Sequence, residues 1–133
     1  MDDILYFDYL NFNGFYLAIA QLNPPSDRLV FAPGEDGRIV WTYSGDTNEI
    51  TFQKLRFTGA STPLVVVAEG NVRERVSNGL DFQFVLPLTL ILKNVNQTYY
   101  GTYNMEIIVR SERFPRSHVH VFIAGLYVEL SVF

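Results

Sequence analysis

The sequence contains no cysteine in its 133 residues. This absence excludes disulfide bonds, thiol nucleophiles and thiolate metal sites together, and on composition alone it is typical of a reducing compartment. Charge is also sparse: 18% of the residues are charged, the net charge is −4, and lysine and arginine form no dense run. A nucleic-acid surface needs clustered positive charge, so nucleic acid is not an expected partner.

Long apolar runs are missing as well. The longest early uncharged stretch, residues 9–26, is interrupted by asparagine, glutamine and proline, which makes it a poor bilayer span. Asp2 and Asp3 stand where an export signal would be basic. If the protein is exported, we therefore expect that its export signal has been removed and that the membrane is reached only through a segment outside these residues.

Strand-like alternation dominates what is present. Hydrophobic residues make up 48% of the chain, enough for one core, and β-branched and aromatic residues alternate with polar ones between glycine, asparagine and proline turns. The pattern predicts an all-β sandwich or barrel in one domain, residues 1–133, with the core in 28–133 and an extension or edge strand in 1–21. The predicted strands are 15–22, 28–31, 37–44, 49–57, 64–69, 80–85, 88–93, 101–110 and 119–133.

A spaced set of residues between Gly34 and Met105 is the most specific signal. Trp41 lies seven residues after Gly34, and Phe52 lies in the next predicted strand. The later members of the set are Leu90, Leu92, Val95, Tyr99, Gly101, Tyr103 and Met105. Together they resemble a V-set immunoglobulin domain in which Trp41 and Met105 replace the two disulfide cysteines and Phe52 replaces the core tryptophan.

This resemblance implies an immunoglobulin-like β-sandwich of the V-set type without a disulfide. Losing such a bridge typically costs about 2–5 kcal/mol, and large apolar side chains can recover part of it. Tyr99 stands where the family has an aspartate that pairs with an arginine, so Arg75 is expected to lack that partner. Tyr103 matches the family's tyrosine corner. The residues expected to fill the core in place of the bridge are Trp41, Phe52, Tyr103 and Met105.

Two groups of V-set domains without this disulfide are similar: the allorecognition receptors of colonial hydroids, which the total loss of cysteine favours, and the amino-terminal domains of carcinoembryonic-antigen-related adhesion molecules. Both are cell-surface proteins that bind like to like. The resemblance thus implies homophilic self/non-self recognition between cells by the extracellular part of a single-pass membrane protein. It implies no cofactor and no small-molecule substrate. A heterophilic receptor or ligand domain and a cytosolic or viral structural β-sandwich remain alternatives.

The sequence contains few residue patterns that are typical of catalytic or metal-binding sites. His118 and His120 are two apart in a strand and share a face, but the sequence places no third ligand, so no metal is expected. Glu35 and Asp36 lie in a predicted turn and favour a solvated loop over a catalytic dyad. The serines lack a nucleophile elbow. We therefore expect no enzyme.

Alternation along two neighbouring strands predicts a binding face. With Tyr103 and Met105 directed inward, every second residue of that strand faces out; with Phe52 inside, its neighbours in the other strand face out. A one-residue bulge would invert this assignment. The predicted interface comprises Gln53, Leu55, Phe57, Glu106, Ile108 and Arg110, with the loop 111–120 at its rim. Asn96-Gln97-Thr98 is an N-glycosylation sequon in a predicted turn and favours export.

The last predicted strand carries one further expectation. Ala124-Gly125 is typical of a bulge, after which Leu126, Val128, Leu130 and Val132 are predicted to face the core.

Overall fold

Short alternating runs fold into strands throughout the residues described by the computed structural model, which are 8–12, 15–110 and 114–125. The few helical segments are single 3₁₀ turns, Thr47–Glu49 and Gln97–Tyr99. The strands are β1 (Asp8–Phe12), β2 (Phe15–Ile19), β3 (Leu22–Asn23), β4 (Arg28–Phe31), β5 (Gly37–Val40), β6 (Thr42–Tyr43), β7 (Ile50–Phe57), β8 (Val65–Ala68), β9 (Asn71–Arg75), β10 (Phe82–Val85), β11 (Thr89–Leu92), β12 (Gly101–Val109) and β13 (Arg116–Ile123).

Two main sheets form the sandwich. The larger sheet has the order β4-β13-β12-β7-β8-β9, and the smaller has the order β10-β11-β5. Strand β4 runs parallel to β13, and the other pairs are antiparallel. Strands β8 and β9 extend the larger sheet beyond β7, as the extra edge strands of variable-type immunoglobulin domains do. Two short pairs, β1-β2 and β3-β6, complete the strands. The prediction of an immunoglobulin-like β-sandwich is confirmed.

The core lies between the two sheets and is built by alternation. Along β12, Tyr103, Met105, Ile107 and Val109 are all buried, as predicted. Trp41 is buried between β5 and β6, and its backbone N–H donates to the Leu88 carbonyl at 3.0 Å. The smaller sheet contributes further buried side chains: Ile39, Phe82, Leu90 and Leu92. No cysteine is present, so the two sheets are held together without a covalent bridge, mainly by packing of this core.

Two tyrosines fasten the turn that leads into β12. The buried Tyr103 hydroxyl donates to the Tyr99 carbonyl at 2.7 Å, which is the geometry of a tyrosine corner. The Tyr99 hydroxyl donates to the Lys93 carbonyl and accepts from the Asp81 N–H, both at 2.9 Å. Arg75 instead donates to the Phe82 carbonyl and lies 4.4 Å over the Phe82 ring. Tyr99 thus joins the turn before β12 to the residue before β10 and to the end of β11, and Arg75 takes a different partner.

The predicted orientation of β7 is wrong. Gln53, Leu55 and Phe57 are buried, with exposed fractions of 6%, 1% and 5%, whereas Phe52 is only half-buried. The prediction directed Phe52 inward in place of the core tryptophan, but Phe52 pairs with the outward Ile108, and the alternation from Phe52 to Phe57 is unbroken. A bulge precedes this stretch: Ile50 pairs with Val109, so Thr51 is an extra residue that places Ile50 and Phe52 on opposite faces. Phe57 stacks on Tyr103 at a ring distance of 4.6 Å.

A glycine holds Phe57 in that place. Gly101 has a φ of +150°, and a Cβ added to it would lie 2.8 Å from the Phe57 ring. A larger residue would therefore force the Phe57 ring to shift and would strain the backbone at position 101.

Several predicted strand boundaries also differ. Strand β9 was not predicted because all five of its residues are exposed, so it shows no alternation. Predicted strand 15–22 is divided into β2 and β3, and β1 precedes them. Strand β13 begins at Arg116, so the predicted loop 111–120 is shorter. Ala124 and Gly125 form a turn. The predicted inward residues Leu126, Val128, Leu130 and Val132 lie outside the described residues.

Candidate binding face

The outer face of the larger sheet is the candidate site, and the strand register defines it. Since directly paired residues share a face, Ile108 lies beside Phe52, and Glu106 lies between Arg116 and Lys54. One row further along the strands, Asn104 lies between His118 and Arg56. These rows cross β13, β12 and β7 side by side.

One half of this face is apolar at its centre. Phe52 and Ile108 are half-buried, and Phe114, just before β13, is 64% exposed. We call these three residues the apolar half. Together with Lys54, Glu106, Ile107 and Arg116 they line a shallow pocket of about 190 Å³. Exposed aromatic and aliphatic groups beside opposite charges are the composition of a protein interface centre and its rim.

The other half of the face is basic. Arg28, Arg56, His118 and His120 are exposed there, and we call them the basic strip. His120 pairs with Arg28 on one side and Thr102 on the other, and its Nδ1 lies 2.7 Å from the Thr102 Oγ1. The Arg28 guanidinium lies 4.5 Å over the ring of Phe122.

The structure places only part of the predicted interface on this face. Glu106 and Ile108 lie on it, and Arg110 is exposed just beyond the end of β12, where its N–H donates to the Glu49 carbonyl at 2.8 Å. Gln53, Leu55 and Phe57 are directed into the core and leave the candidate set. The residues that replace or join them are Phe52, Lys54, Arg56, Phe114 and Arg116. The first three were missed because the prediction directed Phe52 inward, whereas Phe114 and Arg116 lie in the segment that was predicted as the rim.

One inward residue of β7 is polar. Gln53 pairs with Ile107 across the sheet, and its Oε1 is buried without a hydrogen-bond partner. The Trp41 Nε1 and the Ser117 Oγ are likewise buried and unpaired. An unpaired buried polar group costs about 1–3 kcal/mol. The core therefore carries a penalty that an apolar replacement at position 53 would remove.

The sequon lies in an exposed turn between β11 and β12. Asn96 precedes the 3₁₀ turn, and its Oδ1 accepts from the Thr98 N–H at 2.8 Å and from the Thr98 Oγ1 at 2.6 Å. The Asn96 Nδ2, the atom that a glycan would join, takes part in neither of these bonds.

The two histidines lie on the outer face with ring centroids 5.2 Å apart. Within residues 8–12, 15–110 and 114–125, no three histidine, cysteine, aspartate or glutamate side chains come together as a metal site. The same ranges contain no helix of sufficient length and apolarity to cross a membrane.

Comparisons with known proteins bear on the fold. No protein-family model matches the chain, and no curated protein sequence matches it. Among solved structures, the chain is similar to the first immunoglobulin-like domain of the human CD48 antigen, a solution structure. The two are 12% identical with a TM-score of 0.60, and the match covers 72% of this chain and 79% of that one. At this identity the likeness shows the fold alone, and the chain therefore has an immunoglobulin-like fold.

Proposed function

We propose that this domain is an extracellular recognition module that binds another copy of itself on an opposing cell, through the outer face of the larger sheet. The observation that carries the proposal is the self-complementarity of two neighbouring rows. Ile108 lies beside Phe52, and Glu106 lies beside Lys54, on adjacent strands. Each row thus contains both members of a favourable contact.

A two-fold axis between two copies brings the residues of each row into contact with their complements. If two copies dock face to face about an axis parallel to the strands, between β12 and β7, then β12 of each copy meets β7 of the other. Ile108 then meets Phe52 of the partner subunit, and Glu106 meets Lys54 of the partner subunit. Symmetry repeats each contact, so one such face buries two apolar pairs and forms two ion pairs.

The charged row determines specificity more than affinity. Ion pairs at an interface penalise a wrong partner through like-charge contacts. A weak contact of this kind acts when many copies face each other on two surfaces. Variation at positions 54 and 106 would change which copies recognise each other, as allorecognition-type self/non-self discrimination requires.

Charge reversal tests the proposal. Beads that display Lys54→Glu and beads that display Glu106→Lys should each lose aggregation with themselves, because every ion pair becomes a like-charge contact. Mixed beads should aggregate, because both contacts are then opposite in charge. Ile108→Lys should abolish aggregation in every mixture, since it places a charge in the apolar centre.

Val85→Lys is the matched control. Val85 is 45% exposed on β10 of the smaller sheet, so the same added charge leaves the proposed face untouched, and these beads should aggregate like the original protein. Failure of the mixed beads, with self-aggregation retained in both single variants, would overturn the proposed axis. Binding of the original domain only to cells that lack it would favour a heterophilic partner.

Glycosylation of Asn96 supports the extracellular location and has its own test. Expression in a secreting eukaryotic cell should yield a protein that loses mass on endoglycosidase treatment. Thr98→Ala should abolish this loss while keeping the bond from the residue 98 N–H to Asn96. An unchanged mass in the original protein would remove this support.

A further inference from the structure

The proposed self-recognition uses the rows beside the basic strip and assigns no ligand to the strip itself. Its four side chains, Arg28, Arg56, His118 and His120, have neutral neighbours on β12, Thr102 and Asn104. In β4, β7, β12 and β13 the one carboxylate is Glu106, which the register places between Arg116 and Lys54. The strip is therefore a local positive surface on a chain whose net charge is −4.

Some side chains of the strip are already held in position. Arg28 stacks over the Phe122 ring, and Tyr100 meets the same ring edge-on at 5.6 Å. His120 is held by Thr102 and lies against the His118 ring. Side chains that are ordered beforehand lose less entropy when a ligand binds. The strip is thus better prepared for binding than separate flexible cations would be.

The shape of the strip indicates a linear ligand. It runs from β4 to β7, three strand spacings, which is roughly 14 Å on a sheet surface. Arginine is suited to bidentate contacts with sulfate and carboxylate groups. The apolar centre that a protein interface requires lies in the other half of the face.

We propose that the basic strip binds a sulfated anionic polysaccharide. Its sulfates pair with Arg28 and Arg56, and the hydroxyl and amide groups of Thr102 and Asn104 bind the sugar units between them. This activity is separate from self-recognition.

The test measures binding of the 133-residue chain to immobilised heparin in solution, where self-aggregation on beads plays no part. Affinity should fall as salt rises. Arg28→Gln and Arg56→Gln should each weaken binding about three- to tenfold. Arg38→Gln, at an exposed arginine of β5 in the smaller sheet, is the matched control and should leave affinity unchanged.

Competition by other polyanions against immobilised heparin tests whether the strip is selective for sulfated polysaccharide. Desulfated heparin, polyglutamate and oligo-dT should compete poorly at equal charge concentration. Equal competition by polyglutamate would assign the strip to an acidic protein, and equal competition by oligo-dT would assign it to nucleic acid. Equal loss in Arg38→Gln and Arg56→Gln, or absence of heparin binding, would also overturn it.

Discussion

The two faces of the six-stranded sheet come from the same strands and follow different rules. On the inner face, Tyr103 and Met105 of β12 are fully buried in a continuous apolar core. On the outer face, Glu106 and Ile108 of the same strand are half-buried beside charged neighbours. Stability is therefore concentrated on one face, and the other is free to vary in charge and shape. Substitutions on the two faces should separate folding from binding.

The largest loss of stability is expected from Trp41→Ala. Trp41 is 2% exposed in the space between the sheets. Truncating a large buried aromatic side chain costs about 3–5 kcal/mol of unfolding free energy. Urea unfolding followed by far-UV circular dichroism measures the loss. A change below about 1 kcal/mol would mean that the core tolerates the cavity and that the inner face is less decisive than we state.

A smaller loss is expected from Tyr103→Phe, which removes the hydroxyl that bonds to the Tyr99 carbonyl and should cost about 1–2 kcal/mol. Burial, with a further contribution from Tyr99, raises the pKa of Tyr103 above its ordinary value of 10.0. The hydroxyl therefore stabilises the fold below pH 10, and this contribution is lost as the pH rises further.

Alkaline titration of stability checks this effect. The original protein should lose more stability above pH 10 than Tyr103→Phe does. Tyr100→Phe, at a tyrosine that is 49% exposed, is the control and should follow the original protein. Identical alkaline profiles in all three proteins would contradict the role assigned to Tyr103.

Gln53→Met should stabilise the fold by about 1 kcal/mol. Methionine has a similar length and replaces a buried carbonyl oxygen that has no partner. Thermal unfolding should show a higher midpoint. A lower midpoint would indicate that the amide makes a bond to buried water, and that this polar residue belongs to the inner face after all.

The smallest effect on stability, and the largest on recognition, is expected from Ile108→Lys. Ile108 is on the outer face, so its unfolding free energy should change by no more than about 1 kcal/mol. Bead aggregation should nevertheless be lost. If the domain unfolds instead, the outer face contributes to stability as the inner one does, and the contrast between the faces fails.

Sequence patterns predicted β12 correctly and β7 incorrectly, and the reason is physical. Alternation in β12 is unbroken from Tyr103 to Val109, so its inward and outward residues could be assigned directly. In β7 the alternation from Phe52 to Phe57 is also unbroken, but alternation alone does not determine which of the two faces is inward. The resemblance directed Phe52 inward, whereas its pairing with Ile108 places it on the outer face. The observed face therefore keeps Glu106 and Ile108 of the predicted interface. The three predicted residues of β7 are in the core, and their neighbours in the strand take their place on the outer face.

The basic strip illustrates a second limit. His118 and His120 were correctly predicted to share a face, yet residues 111–120 were assigned to a loop. Strand β13 begins at Arg116, and its first inward residue, Ser117, is small and polar. The alternation is thus faint where the strand starts. The neighbours Arg28 and Arg56 come from distant parts of the sequence, and only the sheet order brings them together.

Trp41 has a practical consequence beyond packing. It is the one tryptophan of the chain and is buried in the core, away from the outer face. Its intrinsic fluorescence is therefore a label-free optical signal of the protein interior. A ligand on the outer face should leave the emission wavelength unchanged, whereas unfolding should shift it to the red. Binding and unfolding can thus be distinguished in one cuvette.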